Sequence, residues 1–295
     1  MRNFRFPLMF LHALAGTWRY RPFFWSVPLV LLLTGCALPA LNLITPHNGY
    51  ERTADIAYGG LPRQKLDLYQ PTEPEAGAPV LIFFYGGSWQ EGYKEGYRFV
   101  AQSMAEAGYR VVVPDYRLYP EVTFPAFVED GAAAVSWAVS EGLADDGLVL
   151  MGHSAGAHIA AMLSLDEQYL NTAGVDRSRI LAWVGLSGPY DFLPLSDPDL
   201  IDLFGGADGI PQTQPINFVS ADDPPALLID GLDDTIVRPR NLPNLEQAYR
   251  QNGVPVQTQR YEGVNHNDTV ASFSVRLRDR SPGFDDTLTY LRQLQ

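Results

Sequence analysis

Six short runs of apolar or β-branched residues, none long enough to make a helix, alternate with stretches of helix length, and this alternation limits the possible folds more than any other feature of the sequence. Val80 to Tyr85 is continuously apolar and stops at Gly86 and Gly87, as expected of a strand buried on both faces. Tyr97 to Ala107 reads as a helix with Gly108 at its stop position. Arg110 to Val113 is β-branched and predicts the next strand, followed by an Ala-rich helix from about Ala126 to Ser140. Leu148 to Met151, Leu181 to Leu186, Ala226 to Asp230 and Val256 to Tyr261 continue the strands. Helices are expected from about Ser154, over Leu242 to Gln251 and over Asp285 to Leu294. Strands joined through helices pair in parallel, with helices covering both sheet faces. Asp55 to Tyr58 and Lys65 to Tyr69 alternate in polarity around Gly59, Gly60 and Pro62 and predict a β-hairpin ahead of this pattern. The result is an α/β chain with a mostly parallel central sheet of about eight strands. Functional groups in such sheets collect at the carboxyl ends of strands, here the turns after Tyr85, Met151, Asp230 and Tyr261.

The first 35 residues are unlike the rest. Arg2, Arg5, Arg19 and Arg21 precede any acidic residue, and Ser26 to Leu33 (SVPLVLLL) leads into Thr34, Gly35 and Cys36. This basic, apolar, small-residue order is that of a secretory signal. The tail LTGC resembles the lipobox of bacterial lipoproteins, in which the cysteine is lipidated and becomes the first mature residue. Cys36 is the only cysteine, so no intrachain disulfide can form. The alternative is an uncleaved membrane anchor, since no charge occurs from Pro22 to Tyr50, but Pro28, Gly35, Pro39 and Pro46 interrupt such a helix. The division expected is a signal over residues 1–35, a spacer over 36–52 and a catalytic domain over 53–295, exported and lipid-anchored at a bacterial membrane. The net charge of −13 becomes more negative once the four arginines are removed, which disfavours nucleic acid as a partner.

Gly152, His153, Ser154, Ala155 and Gly156 spell G-x-S-x-G directly after a strand and directly before a small-residue helix. Glycines allow the sharp reversal that lifts a serine hydroxyl clear of the backbone, and the helix N-terminus favours developing negative charge. The competing reading is a serine that merely caps the helix. A serine hydroxyl is a weak nucleophile and needs a base held by an acid. Of the five histidines, His12 lies in the signal and His47 in the spacer, the side chain of His153 is expected to point away from the hydroxyl, and His158 is expected to pack on the helix face. His266, in the loop expected over GVNHND after the last strand, remains as the base. Among the carboxylates of LIDGLDDTIV, Asp234 is favoured as the acid over Asp233 and Asp230, although Asp233 and Asp234 could simply cap a turn. The chain order Ser, Asp, His is that of α/β-hydrolases rather than of chymotrypsin-like or subtilisin-like proteases.

Gly86, Gly87, Ser88 and Trp89 follow the first core strand, and the backbone amides of Gly87, Ser88 and Ala155 are the expected donors to an oxyanion. The strings YGGSW, DYRLYPE, PAFVEDGAAAVSW, GHSAG, SGPYDF and GLDDTIV, with the late NH, resemble the bacterial carboxylesterases related to hormone-sensitive lipase and kynurenine formamidase, over the chain from about Asp55 to the end. The resemblance implies the α/β-hydrolase fold and hydrolysis of small-molecule esters of short acyl groups, with no metal or organic cofactor. Arylformamide hydrolysis and a catalytically silent scaffold are the alternatives. One departure stands out: the family usually has histidine at the head of its H-G-G loop, where this chain has Tyr85. Trp89, Tyr190 and the segment Leu193 to Ile210 are expected to wall the substrate pocket.

Overall fold

The computed structural model describes residues 41–206 and 210–295. The basic leader, Cys36 and the junction expected after residue 35 lie outside the described residues. Among the described residues, no helix is long and apolar enough to cross a membrane.

The elements run β1 (Tyr50–Ala57), β2 (Lys65–Pro71), β3 (Val80–Phe84), α1 (Arg98–Glu106), β4 (Val111–Pro114), α2 (Ala126–Ser140), β5 (Leu148–His153), α3 (Ala155–Leu165), α4 (Glu167–Thr172), β6 (Ile180–Leu186), α5 (Pro198–Leu203), β7 (Ala226–Gly231), α6 (Asn241–Gln251), β8 (Val256–Tyr261), α7 (His266–Ala271) and α8 (Gly283–Arg292). All eight strands form one sheet in the order β1-β2-β4-β3-β5-β6-β7-β8. Pairing is antiparallel from β1 to β2 and from β2 to β4, and parallel everywhere else. β3 sits between β4 and β5, so the strand order reverses there and a crevice opens at the carboxyl ends. The register places Phe84 opposite Gly152, and His153 opposite Leu186. Two turns of the predicted site therefore start side by side.

Every residue of β3 is buried. Phe83 packs toward Tyr97 at the entry to α1, with ring centroids 5.7 Å apart, whereas Phe84 reaches Gly131 of α2. Alternate side chains thus serve opposite faces, which is why the run shows no polar period. The outer strands differ. β1 is exposed along most of its length and β8 is half exposed, so ladder bonds rather than burial define them. Three residues of the expected spacer belong to β1, because its pairing with β2 extends to Tyr50 opposite Pro71. The residues before it are clasped by Arg98, whose guanidinium donates to the carbonyls of Asn42, Thr45 and Pro46.

The helices α4, α5 and α7 have six residues each, too few to show a period, and were not anticipated. Their start signals are in the sequence nonetheless. Asp166, Asp197 and Asn265 each accept backbone amides as N-caps, and Asn265 with Asp268 completes a capping box.

The sheet is locked to α3 through backbone contact. A Cβ on Gly156 would lie 2.0 Å from the Phe84 carbonyl oxygen, and one on Gly152 would lie 2.2 Å from that of Gly156. No side chain can yield there, since both obstacles are main chain. Gly156→Ala is expected to cost about 3 kcal/mol or more, because overpacking forces backbone shifts. Urea unfolding checks this, and an unchanged midpoint would contradict the close packing.

Candidate active site

Ser154 stands between β5 and α3 with φ 55° and ψ −121°, a left-handed conformation that L residues avoid. Its amide donates to the Leu186 carbonyl at 2.9 Å, and its carbonyl accepts from Ala157 and His158. The side chain makes no capping hydrogen bond, which removes the reading of Ser154 as a simple helix cap. Backbone strain is instead held by the contacts of Gly152 and Gly156, and the hydroxyl faces a pocket.

His266 is the first residue of α7 rather than part of a loop, and the capping box of Asn265 fixes where that helix starts. Its Nδ1 lies 2.7 Å from Asp234 Oδ2, and the other oxygen of Asp234 accepts the amides of Ile236 and Val237 at 2.8 and 3.0 Å. Burial pushes the Asp234 carboxyl up, but the hydrogen bond and charge of His266, together with those two amides, more than offset this and hold it below the usual carboxylate range. Asp233 is exposed. Asp230 is pushed up to about 7 by burial and by the charge of Asp234, and one of its buried oxygens has no partner among the described residues. Of the three carboxylates, Asp234 is the one bonded to His266. No hydrogen bond joins the Ser154 hydroxyl to His266 here; such bonds commonly tighten when substrate binds. His153, next to the serine, contacts His266 directly, its Nε2 lying 3.1 Å from the His266 carbonyl oxygen.

The loop after β3 turns sharply, with positive φ at Gly87 (136°), Ser88 (52°) and Trp89 (59°). Within the described residues the amides of Gly87, Ser88 and Ala155 donate to no other group. Gly86 has a different part. A Cβ there would lie 2.8 Å from His153 Nδ1 and 3.0 Å from Ser154 Cβ, so only glycine lets the loop close on the serine turn. Tyr85 resolves the departure noted in the sequence. Its phenol donates to Asp115 Oδ1 at 2.9 Å and accepts from Arg63 Nη2 at 2.8 Å, while Tyr116 donates to its carbonyl at 2.7 Å. Tyr116 and Tyr97 stack on its ring at 4.5 and 5.9 Å. Arg63 also donates to Gly92 O at the far end of the loop. The loop is pinned at both ends from beneath.

The pocket over Ser154 has a volume of about 190 Å³. Ser88 and Ser154 contribute to its polar side, and Trp89, Phe192, Leu195 and Leu200 to its apolar side. Ile236 and Val237, on the turn that carries Asp234, also line it and were not anticipated, because nothing in their local sequence distinguishes a rim from a turn. Trp89 and part of the segment Leu193 to Ile210 are walls as expected. Tyr190 is not: it is fully buried and packs edge-on to Trp183. His158 lies behind the wall, edge-on to Trp89 at 5.1 Å, with its Nε2 bonded to the Thr213 carbonyl.

Among the described residues one carboxylate group, Asp55, Asp67 and Glu95, is close enough to share an ion. It lies at the β1–β2 edge, and the Lys94 ammonium already sits 2.8 Å from Asp55 and 3.2 Å from Asp67. The cluster therefore has its cation from the chain itself.

An eight-stranded, mostly parallel sheet with a strained serine between β5 and α3 and an Asp–His pair after β7 and β8 defines an α/β-hydrolase. The chain belongs to the BD-FAE family, whose model matches residues 66–249. It is 30% identical over 240 residues to a probable isoprenylcysteine alpha-carbonyl methylesterase of Arabidopsis thaliana, covering 72% of this chain and 50% of that protein. A kynurenine formamidase of Salmo salar is 35% identical over 143 residues, covering 48% and 47% of the two chains. The chain thus spans about half the length of these curated relatives. Among solved structures, esterase B from Lactobacillus rhamnosis with a bound inhibitor superposes with a TM-score of 0.72 at 22% identity, covering 88% of this chain and 93% of that one. A truncated carbohydrate esterase from gut microbiota gives 0.71 at 21% identity, covering 85% and 98%. These likenesses establish the fold.

Two measurements test the electrostatics of the site. Burial holds His153 down at about 3, aided by the charge of His266, and burial holds His158 down at about 4. The unfolded chain binds protons below the ordinary histidine value of about 6.5 that the folded chain refuses, so stability present at neutral pH falls as the pH drops toward 4. The slope contributed is roughly 1 kcal/mol per pH unit for each ring. His158→Phe is expected to flatten the dependence of the urea midpoint on pH, and an identical slope would contradict the assignment. Tyr85→Phe, which strips Asp115 and Arg63 of a buried partner, is expected to cost about 1–3 kcal/mol, again read from urea unfolding.

Proposed function

We propose that this chain is a carboxylic-ester hydrolase acting on small acyl groups through an acyl-enzyme, with Ser154, His266 and Asp234 as its catalytic triad. The observation that carries this reading is the 2.7 Å bond between His266 and Asp234, delivered to the rim where a strained Ser154 faces a pocket. Ser154 Oγ attacks the ester carbonyl while His266 takes its proton. Asp234 keeps the Nδ1 proton in place and stabilises the imidazolium. The carbonyl oxygen, now an oxyanion, accepts from the amides of Gly87, Ser88 and Ala155, each donor contributing about 3 kcal/mol to the barrier reduction. Collapse expels the alcohol, which receives the proton from His266. Water then repeats the sequence on the acyl-enzyme and frees the acid and Ser154.

The pocket supports short acyl chains. Sites for drug-sized ligands span roughly 300–1,000 Å³, and this one is smaller. The relatives named methylesterase and carboxylic ester hydrolase favour ester chemistry. A second reading, formamide hydrolysis by the same groups, has the kynurenine formamidases in its favour. Assay of p-nitrophenyl esters beside N-formylkynurenine separates the two, and faster formamide turnover would replace the first reading with the second.

We also propose that residues 1–35 are an export signal and that Cys36 is lipidated, placing the enzyme outside the cytoplasm on a bacterial membrane. The four early arginines, the apolar run and the single cysteine at LTGC support this. Intact mass of the membrane-extracted protein tests it, and an unmodified Cys36 in the mature chain removes it.

Ser154→Ala is expected to abolish labelling by a fluorophosphonate probe and to lower kcat by about 10⁶-fold, and Asp234→Asn by about 10⁴-fold. Retained labelling in Ser154→Ala excludes the triad. Across p-nitrophenyl esters, kcat/KM is expected to peak between acetyl and butyryl and to fall about tenfold or more by octanoyl, since pocket fit discriminates by 1–3 kcal/mol per methylene. A flat series would contradict the small pocket.

A further inference from the structure

His153 has no part in the chemistry proposed above, yet three pieces of the site meet on it. The ring is 98% buried, its relative exposure being 2%. On one side it packs against His266, with centroids 4.9 Å apart and the planes at 47°. Its Nε2 faces the His266 carbonyl at 3.1 Å, and because a carbonyl only accepts, the proton sits on Nε2 and His153 donates. On the other side Nδ1 points at Gly86 without any partner among the described residues. Behind it, one residue on in the chain, is Ser154.

The His266 carbonyl is the pivot of the base. It is the main chain of the first residue of α7, and it accepts from His153 Nε2 and from Thr269 Oγ1 at 2.9 Å. Thr269 is itself within its own helix and is backed by the Ser187 hydroxyl at 3.0 Å. Of these two side-chain donors, only His153 comes from the strand that carries the serine. The groups facing His153 are His266 and Asp234 from the β7 and β8 side and Tyr97 from the entry to α1. Its neutral ring adds no charge against the imidazolium that forms 4.9 Å away.

We propose that His153 is a positioning residue: its Nε2–H, held between the oxyanion loop at Gly86 and the base at the head of α7, sets the distance from His266 to Ser154. A loss of this donor lets α7 settle away from the serine turn while the Asp234–His266 bond stays intact, so the chemical step slows without a matching change in substrate binding. This inference rests on Ser154 and His266 being nucleophile and base.

The test compares His153→Gln with His153→Asn. Both replace imidazole with a primary amide. The glutamine nitrogen reaches the place of Nε2, and the asparagine nitrogen ends near the place of Nδ1, short of the carbonyl. His153→Asn is expected to lose about tenfold or more in kcat on p-nitrophenyl acetate with KM within about twofold, and His153→Gln is expected to recover most of that loss, since small misplacement of a base costs one to two powers of ten. The low-field proton resonance of His266 Nδ1–H should remain in both variants, because the bond to Asp234 is untouched. Equal losses in the two variants, or no loss in either, overturn the proposal in favour of plain packing. The midpoint of urea unfolding shows whether each variant folds; His153→Leu, which has the shape of asparagine without a donor, replaces His153→Asn if that one fails, and failure of His153→Gln to recover activity in a folded protein overturns the proposal. Activity retained in Ser154→Ala, measured alongside, would instead remove the triad beneath the inference.

Discussion

Two backbone contacts with no side chain between them hold this site together: Gly156 on the carbonyls of Phe84 and Tyr85, and Gly152 on the carbonyl of Gly156. They bring α3 so close to β3 that the chain from β5 can reach it only through a sharp reversal, and Ser154 takes the unfavourable conformation at its apex. Burial of the strands around it holds that strain in place, since relaxing the turn would separate a packed helix from a packed sheet. The same closeness sets Gly86 against His153 and leaves no room for a larger residue. Ser154 and the loop at Gly86 therefore share one frame, and neither could shift alone.

The fold was legible because its strands are buried and its glycines stand at reversals. VLIFF and LVLM declare themselves as central strands, and the ends of α2 are placed to the residue by Ala126 and Ser140. The same logic explains what was missed. β1 is exposed, so only its second half, where pairing brings Ile56 against Leu66, carries an apolar signal. A six-residue helix such as α7 has under two turns, and its one visible mark was Asn265 with Asp268 three residues on. That pair is the signal by which GVNHND is the start of a helix that presents His266, not a loop.

Within the site, residue types at strand ends pointed to Ser154, His266 and Asp234, because hydroxyl, imidazole and carboxylate chemistry narrows the choice and only five histidines exist. What lines the pocket did not follow from pattern. Ile236 and Val237 reach it because Asp234 is capped by their amides, which turns that segment toward the serine. Tyr190 is aromatic and near the site in sequence, but Gly185 and Gly188 leave a slot at the end of β6 that takes its ring, so it is core. The side chain of His153, expected to face away from the hydroxyl, meets His266.

The phenol at position 85 has a consequence for how the enzyme meets its surroundings. Burial, with Tyr116 and Asp115 nearby, drives its ionisation well above the ordinary tyrosine range. An imidazole in that place would gain or lose a proton within the range where histidines ordinarily titrate, about pH 6–7, and would carry the change into Arg63 and Asp115. Tyrosine offers the same donor and acceptor in a single protonation state from acid through mild alkali. The phenol's share of the scaffold under the oxyanion loop is in that sense insulated from acidity.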